Sequence, residues 1–512
     1  MNEMQNSPAE AGTLALRPGW LAGLCLAGVC ALIMRLLPGP EILDDAYITY
    51  RISENIASGN GFVYNVGERL QSSTTPAYTL MLSVLPRFGV DVPRGSFILN
   101  ALAGMAAAML LFVAVRRISG DGRVALAGAL LTAVFPGSVV YSIAGMETAV
   151  FELCLVAACT AFLFRRDWLT AVLAGILPLL RPEGLVVSAI LGVALIVAKR
   201  NRVWAYGLIA LLPLAAWAAW ATVYFGTPIP HSVSEKQKFF ADPRFAVGLS
   251  GFLRQWAYHF FSLFWGNPVN GERINNTRYA TILLGGAPFA LGYVYQVFKA
   301  GMSRPRALPL ALAPGLFAVV CILGQAGLPF PWYFMPTSGL FIAMSICGLF
   351  ILLRDLLLRW RPRWAATAGP VVLVAGGLLV GHHLVVDYSW SPRIMPATLY
   401  DHVFPHREPA YEAVGQWLGA QPGNEHETVL CAEVGAVGYF CRCKVWDQHL
   451  TQPPWVPERG SALVDKYRPR YISFMAIYPP VEEMKDQPET VRIGKTQGPY
   501  SKVFCVKMEI DP

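Results

Sequence analysis

The chain has 512 residues, of which 54% are hydrophobic and 14% are charged, and its mean hydropathy is +0.44. That balance excludes an ordinary soluble domain and fits a chain whose main solvent is a bilayer. The net charge of +8 does not indicate nucleic acid, because the Arg and Lys residues sit in short clusters between apolar runs, a pattern that orients a membrane protein.

Residues 1–17 read as a polar cytoplasmic tail, and the run from 18 to 38 is long enough to span. Leu36-Leu37-Pro38-Gly39-Pro40 offers no small-residue cleavage pattern, so the run is taken as a retained anchor. Arg35, near its far end, is expected to snorkel toward the interface. From 39 to 94 nothing is apolar for long enough to cross. Glu41-Ile-Leu-Asp44-Asp45-Ala-Tyr47-Ile-Thr-Tyr-Arg51 leads into a short helix with Ile48, Ile52 and Ile56 on one face, stopping at Gly59-Asn60-Gly61. Thr74-Thr75-Pro76 starts a second helix that ends near Arg87. Both are expected to lie flat on the membrane.

Ten more apolar runs follow, at roughly 95–115, 124–141, 148–164, 168–180, 184–198, 203–225, 278–298, 307–326, 332–353 and 364–386, so a multi-pass α-helical protein of about eleven spans (18–386) is predicted. Arg116, Arg117 and Arg123; Arg165 and Arg166; Lys199, Arg200 and Arg202; Lys299, Arg304 and Arg306; and Arg354, Arg359, Arg361 and Arg363 occupy every second connection. By the positive-inside rule these connections are cytoplasmic, with the amino terminus inside and the carboxyl terminus outside. Asp44, Asp45, Glu147, Glu183, His231 and Lys236 then share the external face.

Residues 387–512 change character and read as a small external α/β domain, an appendage that binds or shields. Thr428–Ala432 and Tyr471–Met475 read as strands, Ala410–Leu418 as a helix, and Val434-Gly-Ala-Val-Gly438 as a tight turn. Cys431, Cys441, Cys443 and Cys505 form an even set there, which suggests disulfides with three pairings open and zinc as a second choice. The six remaining cysteines lie in apolar runs and read as small core residues.

Four clusters bring polar groups to the outer rim. Asp44 and Asp45 are neighbours on a helix and so point about 100° apart; one can cap or brace while the other stays available, and capping alone is the bland alternative. Glu147, in Gly145-Met-Glu-Thr148, either caps the next span or points into a cavity. Arg181-Pro-Glu183-Gly places opposite charges between two short apolar helices, as a structural pair or as the lining of a water-filled site. Gly226-Thr-Pro-Ile-Pro-His231 runs on to Lys236 as a solvated loop or as a phosphate contact.

The Asp-Asp-Ala-Tyr-Ile-x-x-Arg stretch at 44–51, with Asn60-Gly-Phe-Val-Tyr-Asn65-x-Gly67-Glu-Arg69 and Ser73-Thr-Thr-Pro76, resembles the GT-C superfamily of polyprenyl-phosphate-sugar-dependent glycosyltransferases. It is similar in particular to the arabinofuranosyltransferase branch that includes the mycobacterial terminal β-(1→2) enzyme. His231 stands where that branch is expected to carry Asn.

The resemblance implies an inverting transfer of one sugar, arabinofuranose before a hexose, from a polyprenyl-phosphate donor in the membrane lipid. The acceptor would be a hydroxyl of a glycan, glycolipid or exported protein on the periplasmic face of the bacterial inner membrane. Asp44 or Asp45, with Asp45 preferred, is then the general base. Arg51, Arg181, Lys236 and His231 are the candidates to hold the donor phosphate, and Tyr47, Glu147 and Glu183 to line the substrate site. A divalent cation bridging a carboxylate to the phosphate is compatible with oxygen-ligand chemistry, but no dedicated ligand set stands out. A transporter or flippase of lipid-linked sugar is the alternative; no internal repeat of the kind such folds carry is visible.

Overall fold

A computed structural model describes residues 18–198, 202–231, 233, 276–324, 333–387, 408–423, 428–431, 434–447, 471–475, 490–493 and 503–507. Within the described residues each apolar run lies mainly on helical backbone. The helices are α1 (Pro18–Leu36), α4 (Val92–Ser119), α5 (Gly122–Val134), α6 (Pro136–Ile143), α7 (Thr148–Leu163), α8 (Asp167–Leu180), α9 (Gly184–Ala198), α10 (Val203–Phe225), α11 (Asn276–Ser303), α12 (Leu308–Gly324), α13 (Met335–Trp360) and α14 (Ala368–His382). Between α1 and α4 lie α2 (Asp44–Ala57) and α3 (Pro76–Leu82).

Among the described residues, five helices are long and apolar enough to cross a membrane alone. A sixth crossing is made if α5 and α6, bent by 51°, count as one. The break is chemical: Pro136 has no N–H to continue the ladder. Helices α7, α8 and α9 have 16, 14 and 15 residues, so they rise only about 21–24 Å against a hydrocarbon core of about 30 Å.

The two ends of the bundle differ in chemistry. At one end Arg304 donates to the Ile118 carbonyl and Arg306 pairs with Asp167 at 2.5 Å, so three of the basic clusters gather there. The other end carries α2, α3 and the turns after α6 and α8.

Arg35 departs from expectation. It does not snorkel: it is 1% exposed and donates to the carbonyls of Ala31 and Ala133 and to the hydroxyls of Ser142 (3.1 Å) and Ser138 (2.8 Å). The guanidinium thus bridges the α5–α6 break, satisfying a carbonyl that the lost helical bonding would leave open.

In the C-terminal region α15 (Glu408–Gly419) precedes a five-stranded mixed sheet of order β2-β1-β3-β5-β4. The strands are β1 (Thr428–Cys431), β2 (Lys444–Asp447), β3 (Tyr471–Met475), β4 (Thr490–Ile493) and β5 (Val503–Lys507). β1 is parallel to β2 and β3, while β5 is antiparallel to β3 and β4. The parallel β1–β2 pair needs a crossover, and this is α16 (Gly435–Cys441). The expected tight turn at 434–438 is therefore the start of a helix.

The cysteines also differ from expectation. Cys441 and Cys443 are bonded to each other, whereas Cys431 is a buried thiol. Cys431 registers with Ser473 and Ser473 with Cys505. The intervening strand holds the two Cα atoms about 9.5 Å apart, too far for a bridge.

Candidate active site

The segment before α2 runs extended beside the turn after α6, with Glu41 N donating to Ile143 O (3.2 Å) and Leu43 N to Ala144 O (3.1 Å). Leu43 is the N-cap residue, and its side chain makes no cap bond to α2. The two carboxylate oxygens of Asp44 accept from the first amides of α16, Gly435 N at 2.9 Å and Ala436 N at 2.7 Å. Asp44 is 9% exposed. Asp45, one step around the helix, is exposed.

Seven residues on, Arg51 meets the other end of α16. Its guanidinium donates to the carbonyls of Gly438 (2.6 Å), Cys443 (2.6 Å) and Tyr64 (2.8 Å) and to Asn65 Oδ1 (3.2 Å). With these four oxygen partners and 8% exposure, Arg51 ties the 64–65 segment and the C-terminal region together. The Tyr47 ring packs against Tyr50, Tyr439 and Phe440. So one face of α2 is roofed by α16. The approach is close because two glycines face α2. A Cβ on Gly435 would lie 1.8 Å from Asp44 O, and one on Gly438 would lie 1.8 Å from the Tyr64 hydroxyl.

Further bonds widen this joint. Tyr64 OH donates to Val434 O (2.7 Å) and Tyr439 OH to Glu54 Oε1 (2.5 Å). The Asn65 amide exchanges bonds with N and O of Val445 on the edge strand β2. Burial raises the Tyr64 hydroxyl above its usual value, against the opposing charge of Arg51, so it stays a neutral donor.

The Gly145-Met-Glu-Thr turn is held from below. Gly145 has φ +81°, and its carbonyl faces the hydroxyls of Tyr50 (3.0 Å), Tyr78 (3.0 Å) and Ser96 (2.9 Å). This fixes Glu147 at the mouth of α7, where its carboxylate makes no cap bond and pairs with Arg181 at 2.6 Å. Glu183 lies 3.6 Å from Arg181 Nε, which has no hydrogen-bond acceptor. Burial pushes the Glu147 carboxyl above its ordinary value, with the charge of Arg181 pulling it back. The Arg181–Glu183 pair expected from sequence is thus a triad of two acids on one guanidinium. The Glu147 link joins turns 34 residues apart, which no local pattern signals.

His231 is half-buried, and its backbone N–H bonds to Gln71 O at 2.8 Å, tying the loop after α10 to the first external segment. Lys236 lies outside the described residues. Among the described residues no group of three His, Cys, Asp or Glu is arranged for a metal ion.

No family model and no curated protein matches this sequence. Solved structures do match. The fold resembles that of ArnT. The crystal structure of ArnT from Cupriavidus metallidurans bound to undecaprenyl phosphate aligns with a TM-score of 0.55 at 12% identity, over 95% of this chain and 98% of that one. The apo structure of ArnT aligns with the same score and identity over 95% and 97%. The alignment takes in 95% of this chain, and it establishes a multi-pass helical membrane fold like that of ArnT.

Proposed function

We propose that the chain is an inverting GT-C glycosyltransferase of the bacterial inner membrane, moving one sugar from a polyprenyl-phosphate donor to an acceptor hydroxyl on the periplasmic face. Arabinofuranose is the first choice of sugar. The observation that carries the reading is the division of the acidic pair: Asp44 is consumed by two backbone amides while Asp45 stands exposed beside it. A general base must reach the proton it takes, and of the two only Asp45 has its oxygens to spare. The ArnT structure with bound undecaprenyl phosphate supports a polyprenyl-phosphate partner for this fold.

Asp45 takes the proton of the acceptor hydroxyl as that oxygen attacks the anomeric carbon from the face opposite the lipid phosphate. The bond from the anomeric carbon to the phosphate oxygen breaks, and the leaving phosphate gains charge. Arg181, with Nε lacking an acceptor, and Lys236 and His231 on the loop after α10, are the groups that stabilise this charge more in the transition state than before it. The turn that carries Arg181 joins two helices too short to cross alone, which supports its place at a recessed site. Glu147 and Glu183 orient Arg181 and line the sugar.

The test is turnover of purified full-length protein with a short-chain polyprenyl-phosphoryl arabinofuranose, read as release of lipid phosphate. Release that needs an added acceptor and vanishes in Asp45→Asn supports the reading. Release from a hexose donor alone changes the sugar, and silence with every donor from folded protein favours transport.

A further inference from the structure

The joint between α2 and α16 is built at both ends by one helix face. Asp44 and Arg51 are seven residues apart, so they project to nearly the same side of α2 and lie about 10 Å apart along it. Helix α16 is itself seven residues long and runs parallel to α2. The carboxylate meets its amino end, where the dipole is positive, and the guanidinium meets its carboxyl end, where it is negative. We propose that Asp44 and Arg51 are positioning residues, and that the C-terminal domain acts through α16 to set the rotation of α2 and hence the place of Asp45. The part of this that concerns rate rests on the transferase reading; the joint itself does not.

Three observations support the assignment. The N-cap residue of α2 is Leu43, whose side chain makes no cap bond, while the carboxylate of the next residue reaches across to α16. The two glycines of α16 admit no Cβ without collision, so contact depends on full approach. The bonds of Tyr64, Asn65 and Glu54 to Val434, Val445 and Tyr439 all join the same two units. Rotation matters because a carboxylate about 6 Å from a helix axis moves ~2 Å when the helix turns by ~20°. Misplacement on the scale of 1 Å costs on the order of 100-fold in rate.

The experiment uses the full-length protein with Asp44→Asn, Arg51→Lys, Arg51→Met and Asp45→Asn. Hydrogen exchange is followed in peptides covering 434–441 and 44–57, and lipid-phosphate release from the arabinofuranose donor is followed in parallel. Faster exchange of α16 is expected in Asp44→Asn and Arg51→Met and wild-type exchange in Asp45→Asn, with Arg51→Lys intermediate. In turnover, Asp44→Asn should lower kcat by about 10- to 100-fold, with the donor KM and the pH profile of the residual rate unchanged. Asp45→Asn should lose the rate altogether. Unchanged exchange in Asp44→Asn overturns the proposal, as does a residual Asp44→Asn rate whose pH profile has lost its basic-group limb. If wild-type protein turns over no donor, the transferase reading falls while the exchange data still decide the joint.

Discussion

Replacing Arg181 by Met removes the one cation in the Glu147–Arg181–Glu183 triad and leaves Glu147, 6% exposed, without the group that most opposes its burial. Removing one partner of a buried ion pair costs about 3–5 kcal/mol, but a carboxyl can limit that loss by holding its proton. Burial already raises Glu147 and Arg181 opposes the rise, so in Arg181→Met the folded value climbs further. An acid raised in the folded state keeps a proton that the unfolded chain has released. Its contribution to stability is therefore fully present below the ordinary carboxylate value and is lost as pH rises, at about 1.4 kcal/mol per unit, until the raised folded value is passed. The thermal midpoint of Arg181→Met, read by tryptophan fluorescence in detergent, should thus lie near wild type at about pH 4.5 and well below it at about pH 8. Arg181→Met/Glu147→Gln should recover most of the loss at the higher pH. An equal loss at both pH values, or a double variant no more stable than the single one at high pH, would refute the argument.

Arg35→Met should lower the thermal midpoint by the equivalent of at least ~2 kcal/mol, because it orphans the Ser138 hydroxyl and the Ala133 carbonyl and removes a donor from Ser142, which keeps its bond to Ser138 O; a change within about 0.5 kcal/mol would mark a snorkelling side chain instead. Thiol labelling of native protein should leave Cys441 and Cys443 unmodified until a reductant is added, and Cys431 should react only after unfolding. Labelling of Cys431 in native protein would contradict its burial in β1. A reporter fused after Asp387 should be active only outside the cytoplasm, and activity inside would reverse the orientation read from the basic clusters.

Most of the helical scaffold is legible because hydropathy is a property of windows as long as a span. Even the break at Pro136 falls inside a single apolar run, 124–141, and shows only as a proline. The split between Asp44 and Asp45 is legible too, since adjacent helical residues diverge by about 100° whatever surrounds them. Helix α16 is not legible. Gly435-Ala-Val-Gly438 has poor intrinsic helix propensity, and what stabilises it is a carboxylate and a guanidinium nearly four hundred residues earlier. For the same reason the bonds of Arg51 to Gly438 and Cys443 are not legible in a sequence that offers it as a candidate phosphate contact. Arg35 misleads in the opposite sense: near the end of an isolated span it would reach for water, but the two serines that hold it come from a helix about a hundred residues later. The Gly-x-x-G spacing at 435–438 and an Arg inside an apolar run are the two signals that could have found these features.

The oxygen cluster around Gly145 has a consequence that follows from counting hydrogens. Tyr50, Tyr78 and Ser96 bring three hydroxyl protons to five short contacts, three to the carbonyl and two between hydroxyls at 2.8 Å. At most three of the five can each hold an unshared proton at one moment, so several arrangements are near in energy and exchange by turning O–H bonds alone. Asn100 feeds one more proton to Tyr78 at 2.7 Å. The turn that carries Glu147 is therefore held redundantly: Tyr50→Phe or Tyr78→Phe leaves the carbonyl with donors enough, and only when both phenols are gone does Ser96 alone face it.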